Sequence, residues 1–294
     1  MCYEWLGSFR SRPSSQVQKT CFLFLCILGA SSGCCVLKPQ AIKADRLLLS
    51  HELLDGELQI QRGKPRKIVD TVGWVIGIPD KILLWNRRID NHSIGDRTES
   101  LVEQYLVDNG LETTRVRLNQ YAPLDDWKRL VRNKRVGAPI RYTFGTLTTA
   151  GETLFPGRIF GGDHYNPFTD TIHLYSDVPA IALHEAGHAK DFARRKWKGT
   201  YALAYGVPLV PLYHESIATR DALAYAEYAA SPSERREAIQ VLYPAYGTYV
   251  GSAFGTLIPS ATSPLYYGSV VAGHAAARFD SEKIVDKESE LTGK

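Results

Sequence analysis

The stretch from Thr171 to Lys196 limits most tightly what this chain can fold into. Thr171-Ile-His-Leu-Tyr175 is a short run of strand formers, and a helical pattern begins almost at once behind it. Ser176 or Asp177 can cap that helix and Pro179 suits its first turn, so a helix is expected from about Ala180 to Lys196. Just upstream, Gly161-Gly-Asp-His-Tyr-Asn-Pro-Phe-Thr-Asp170 is dense in turn formers. Any fold must therefore deliver a turn, a short strand and a long helix in that order.

On the expected helix His184 and His188 stand four residues apart. Residues so spaced project from one face, one turn apart, and two imidazoles there can reach a single Zn²⁺ at about 2.0–2.1 Å each. Glu185 lies one step round the helix, where it can touch a metal-bound water rather than the metal. Zinc lowers the pKa of such a water toward about 7, and the glutamate can take its proton as hydroxide attacks a carbonyl. Gly187 permits a neighbouring backbone to come close. A zinc site also needs a third protein ligand and an open fourth position. Two adjacent candidates occur in a second helical pattern, Leu212-Tyr-His-Glu-Ser-Ile-Ala-Thr-Arg-Asp-Ala222: Glu215, 27 residues after His188, and His214, whose imidazole is an equally good donor. Asp191 shares the face of His188, but three ligands stacked along one straight helix cannot converge on one ion. It reads as a support for the ligands or a salt-bridge partner. Asp221 is either an orienting partner for a motif histidine or an exposed helix charge.

His184-Glu185-Ala186-Gly187-His188 resembles the HExxH segment of zincin metallopeptidases, and with Glu215 downstream the arrangement is similar to the gluzincin class. The resemblance covers roughly residues 98–230. It implies zinc held by His184, His188 and Glu215, and Glu185 as general base. It also implies a sheet edge before the active helix, on which an extended peptide pairs through its main chain. Order alone places Thr171 to Tyr175 in that role, while His164 and His173 read as structural or exposed rather than as ligands. Thr219 departs from the class, which more often has an acidic residue four positions after the glutamate. Tyr205, Tyr213 and His214 could each polarise a carbonyl.

Elsewhere, Leu101, Val102, Tyr105 and Leu106 recur at helical spacing and predict a helix from Thr98 to Asn109, stopped by Asn109-Gly110. Alternation predicts a strand with one buried face from Thr114 to Asn119 and another strand from Ile140 to Leu147, with Tyr142 and Phe144 on one side. Leu124 to Arg132 fits a short helix. Trp74 to Trp85, apolar apart from Asp80 and Lys81, is either a surface-lying amphipathic piece or a buried first element. The expected fold is α+β, a small mixed sheet with an HExxH helix and a second ligand helix, followed by an apolar helical hairpin.

All five cysteines lie in the first 35 of 294 residues, so the main body holds neither a disulfide framework nor a thiolate metal site. Arg10, Arg12 and Lys19 precede an uncharged apolar run, Cys21 to Ala30, and the small residues Ser31-Ser32-Gly33 follow. That is the order of a signal peptide, here residues 1–33, and the run is too short for a comfortable membrane span. Ala30-Ser31-Ser32-Gly33-Cys34 resembles a bacterial lipobox, with Ser31 where Leu is usual, which implies lipidation at Cys34. Ordinary secretion with cleavage nearby is the other reading. Residues 34–70, with Gln61-Arg-Gly-Lys-Pro-Arg-Lys67, look like a tether ahead of a domain at 71–236. The net charge of +4 is too small to suggest a nucleic-acid partner.

From Ala238 to Ala277 there is no Asp, Glu, Lys or Arg. Gly247, Gly251 and Gly255 form a strip on which another helix, or a second copy of the chain, can pack closely. Pro259 and Pro264 break the run, and Gly268, Ala272 and Ala276 repeat the small spacing beyond them. A hairpin at 237–278 is expected, inserted in a membrane or buried in the body, with a charged, mobile tail at 279–294. The functional expectation is a membrane-anchored zinc endopeptidase of the cell envelope, or a secreted or periplasmic form, acting on an extended peptide. The alternatives are a non-catalytic membrane-associated lipoprotein with a structural role and a zinc hydrolase acting on a non-peptide amide or ester.

Overall fold

The computed structural model describes residues 37–43 and 58–292, with side chains as far as residue 284. The expected signal peptide and Cys34 lie outside the described residues. The fold is α+β, a four-stranded sheet surrounded by helices. Strand β1 (Ile60–Arg62) is followed by helices α1 (Lys67–Ile76), α2 (Ile78–Leu83) and α3 (Asp96–Asp108). Then come β2 (Arg115–Leu118), α4 (Pro123–Arg132) and α5 (Thr146–Leu154). The chain continues through β3 (His164–Asn166), β4 (Thr171–Leu174), α6 (Pro179–Ala193), α7 (Val210–Ala229), α8 (Pro232–Leu257) and α9 (Thr262–Thr292).

The sheet order is β1-β2-β4-β3. β1, β2 and β4 run parallel and β3 is antiparallel to β4. Register explains the layering. Val116 lies opposite Ile172 and Leu118 opposite Leu174, and these side chains join Leu101, Tyr105, Leu183 and Ala186 in the main core. The intervening residues point the other way and form a buried polar layer, in which Arg117 is the register partner of His173 and His173 that of His164. Charge in that layer is neutralised locally. Arg117 pairs with Asp126 of α4 at 2.9 Å, and Arg129 donates to the Thr113 and Asp170 carbonyls at 2.9 Å each.

Several expectations are corrected. β2 is buried on both faces, and on the polar side Asp126 of α4 pairs with Arg117. Ile140 to Leu147 is helical: a π-helical turn at Arg141–Gly145 leads into α5, and Tyr142 and Phe144 are half-exposed. Their alternation reflected no buried sheet face. The stretch 34–70 is no mere tether, since Ile60–Arg62 pairs with β2 and Leu37 and Ile42 are buried. Trp74 to Trp85 spans the end of α1 and all of α2, and of its two expected readings the surface one holds, with Val75, Ile82 and Trp85 exposed. Thr171 to Tyr175 is not the sheet edge, because β3 pairs outside it. The α6 helix is capped by Val178 without a side-chain bond; Asp177 instead accepts from the Gly95 backbone at the start of α3, at 2.9 Å.

The glycine strip is filled from within the chain. A Cβ on Gly247 would lie 2.5 Å from the Ser269 carbonyl oxygen, and one on Gly251 would lie 2.4 Å from the Tyr266 Cα, both on α9. On α9 itself Gly273, rather than Gly268, makes the return contact, against Pro244. The strip of Gly247, Gly251 and Gly255 is thus occupied by α9 of the same chain. The two helices also share the main core, through Ala238, Val241, Leu242 and Ala277. Among the described residues no helix is long and apolar enough to cross a membrane. The charged end, expected as a mobile tail, continues α9 to Thr292, as its Glu and Lys content favours. Gly251→Ala should lower Tm, since backbone rather than a flexible side chain blocks the added methyl and overpacking costs about 1–3 kcal/mol. An unchanged thermal melt would contradict this packing.

Candidate metal centre

Helix α6 runs through the middle of the protein and is buried on nearly all sides, packed between α3, α7 and α8. Its crossing with α7 is close because position 187 has no side chain. A Cβ there would meet the Ala218 carbonyl oxygen at 3.0 Å and the Ala218 Cα at 3.1 Å. That approach brings Glu215 of α7 over the two histidines of α6. Leu209, just before α7, has φ of 70°, a left-handed conformation that is strained for a side-chain-bearing residue. The chain thus turns sharply into the helix that carries Glu215.

His184 Nε2 lies 3.0 Å from Glu215 Oε2, His188 Nε2 lies 3.3 Å from the same oxygen, and the two nitrogens are 3.1 Å apart. Three donors bound tetrahedrally to one zinc at about 2.0–2.1 Å stand about 3.3 Å from one another. The observed triangle is therefore close to the one a zinc ion requires, and its donor types are those zinc accepts. The imidazole rings are set edge to face at 87°, and their Nε2 atoms meet with Glu215 Oε2 in one small space. All three residues are largely buried.

Electrostatics couple the three groups. Burial works against charge on Glu215, but the flanking imidazoles hold its carboxyl well below the usual carboxylate range, so it is an anionic donor. Burial also opposes charge on His188, yet Glu215 raises that imidazole to about 9 without metal. For Glu185, burial pushes the carboxyl above its ordinary value, partly offset by His184 and His188. A raised carboxyl suits a group that must take up a proton and give it away near neutral pH.

The neighbouring groups divide into those that touch this triangle and those that do not. His214 is buried elsewhere, its ring stacked on Tyr201 at 4.2 Å and its imidazole lowered to about 4 chiefly by burial. It is Glu215 that the helix delivers to the histidine pair. Asp191 accepts from Arg195 at 2.5 Å and from the Tyr201 hydroxyl, as a salt-bridge partner does. Asp221 does not orient a motif histidine. It is buried and accepts from Tyr105, the Ile42 backbone and Lys190, so both readings of it, orienting partner and exposed charge, are corrected.

Three further residues adjoin the triangle, of which the sequence offered Tyr205 as a candidate and gave Thr219 and Tyr249 no role. Thr219 Oγ1 lies 3.3 Å from His184 Nδ1, one turn beyond Glu215, and so sits where it can fix that ring. The Tyr205 hydroxyl is 3.2 Å from His188 Nδ1 and 3.4 Å from Glu215 Oε1. Tyr249, from the glycine-rich helix α8, faces Glu215, whose charge drives the phenol well above its usual range. The spacing of Thr219 from Glu215 was a usable signal; nothing local marked Tyr249. Thr219→Val should weaken zinc binding by about 10-fold, the lower end for loss of a partner behind a ligand. Competition with a chromogenic chelator would measure it, and unchanged affinity would exclude Thr219 from orienting His184.

No protein-family model, curated protein or solved structure matches this chain.

Proposed function

We propose that the chain is a zinc-dependent metallopeptidase of the gluzincin kind, anchored to or secreted across the cell envelope. The observation that carries this reading is the triangle of His184 Nε2, His188 Nε2 and Glu215 Oε2, with donor separations of 3.0 to 3.3 Å beside the raised carboxyl of Glu185. Zinc held there would supply polarisation of a water molecule and of the scissile carbonyl. Glu185 accepts the proton of the attacking water as the C–O bond forms and then returns it to the amide nitrogen, so that the C–N bond breaks and the amine departs. Tyr205, at hydrogen-bond distance from both His188 and Glu215, offers a hydroxyl to the carbonyl oxygen. An extended peptide would pair with β3, the edge of the sheet.

Proteolysis of a casein-type substrate by the purified chain tests the reading. Activity should disappear on chelation and return with Zn²⁺. Hydrolysis that survives full removal of metal would contradict it, and hydrolysis of simple esters or amides alone would move the substrate to a non-peptide class.

A further inference from the structure

We propose that Glu152, His164 and His173 form a second binding site for a divalent transition-metal cation of the zinc type, separate from the centre on α6. His164 of β3 and His173 of β4 are register partners across the antiparallel pair, and their rings stack 4.7 Å apart at 12°. Glu152 comes from α5, on the polar side of the sheet, and its Oε1 lies 3.1 Å from His164 Nε2. One donor atom from each of the three falls within 4.8 Å of the other two. Two imidazoles and a carboxylate are a donor set that zinc accepts.

Hydrogen bonding leaves this cluster unfinished. His164 Nδ1 is 3.0 Å from the Gly162 carbonyl, and Glu152 Oε1 also accepts from Asn166 at 2.8 Å. His173 is only 4% exposed, and its Nε2 has no partner. Glu152 Oε2 is buried and equally without one. A buried nitrogen and a buried carboxylate oxygen that nothing satisfies are uncommon in a native fold and call for an ion or a water. A cavity of about 10 Å³ adjoins them, bounded also by Asp126, Gln120 and Tyr175. That is about the volume a single small species needs. Arg117, the register partner of His173 on β2, is paired with Asp126 at 2.9 Å. An ion here would tie α5 to β3 and β4 and so fix the edge of the sheet.

The test uses the full chain with the first centre removed by His184→Ala and His188→Ala, stripped by chelator and reloaded with Zn²⁺ or Co²⁺. One equivalent of Zn²⁺ per chain should remain, with a rise in Tm on loading and a visible Co²⁺ spectrum showing nitrogen ligands. Adding Glu152→Gln, near-isosteric and at a half-buried helix position, together with His173→Gln should abolish the equivalent, the Tm rise and the spectrum. Glu152→Gln alone, checked by circular dichroism, should weaken binding by at least 10-fold and guards against a double variant that does not fold. A first-centre deletion that binds no metal, or an equivalent that survives intact in the Glu152→Gln variants, would overturn the proposal and leave a water as the occupant. The outcome is separable from that of the catalytic reading. Failure there appears as zinc content indifferent to His184→Ala and His188→Ala, failure here as content indifferent to Glu152→Gln and His173→Gln.

Discussion

Glu185→Gln should lower peptide hydrolysis by about 10²–10⁴-fold, the usual contribution of a positioned general base, while zinc content stays unchanged. The amide keeps the size of the carboxylate but cannot accept the water proton. Glu185 is not part of the donor triangle, which His184, His188 and Glu215 form without it. The carboxylate sits beside that triangle in a buried place that raises its pKa, and the glutamine would leave the packing there intact. Steady-state rates beside metal analysis of the same preparation would measure both halves. Retained activity would remove Glu185 from the chemistry, and a parallel loss of zinc would show that its role is in holding the metal.

Glu215→Ala should cost one zinc equivalent, with affinity falling by more than about 100-fold, because loss of a mere supporting partner already costs about 10–100-fold. The variant removes the only anionic donor of the triangle and leaves His184 and His188 alone to hold the ion. His214→Ala at the adjacent position should leave zinc in place, since that ring is stacked against Tyr201 and does not face the histidine pair. It should instead lower Tm, as expected for a buried ring removed from an aromatic cluster that includes Tyr205 and Tyr213. A titration of each variant with Zn²⁺ separates the two. Equal zinc loss in both would mean that the ligand helix is held in a different rotation.

The parts of the fold written in local periodicity were legible. The helix carrying His184 and His188, the strand before it, and the helix around Tyr105 all follow from spacing and turn chemistry, within a few residues of their observed ends. Glu215 was one of two neighbouring candidates, and only the rotation of α7 against α6, set by contact at Gly187, distinguishes it from His214. Elements whose signal is tertiary were misread. Arg115 and Arg117 look like the solvent face of a strand, yet both are fully buried and Asp126 neutralises Arg117. Tyr142 and Phe144 alternate like strand residues but lie on a π-helical turn. β1 was hidden in a basic, turn-rich stretch, because a three-residue strand depends on its partner rather than on its own sequence. The same holds for His164 and His173, whose pairing depends on strand register, and for Glu152, which reaches them from a helix of another segment.

Zinc analysis of the wild-type chain beside Glu215→Ala and His214→Ala bears most directly on the centre from which the rest is argued. Wild type and His214→Ala should carry the same zinc content, and Glu215→Ala one equivalent less per chain. A wild-type chain that takes up no zinc, or a Glu215→Ala chain that keeps its full complement, would contradict a metal held between α6 and α7.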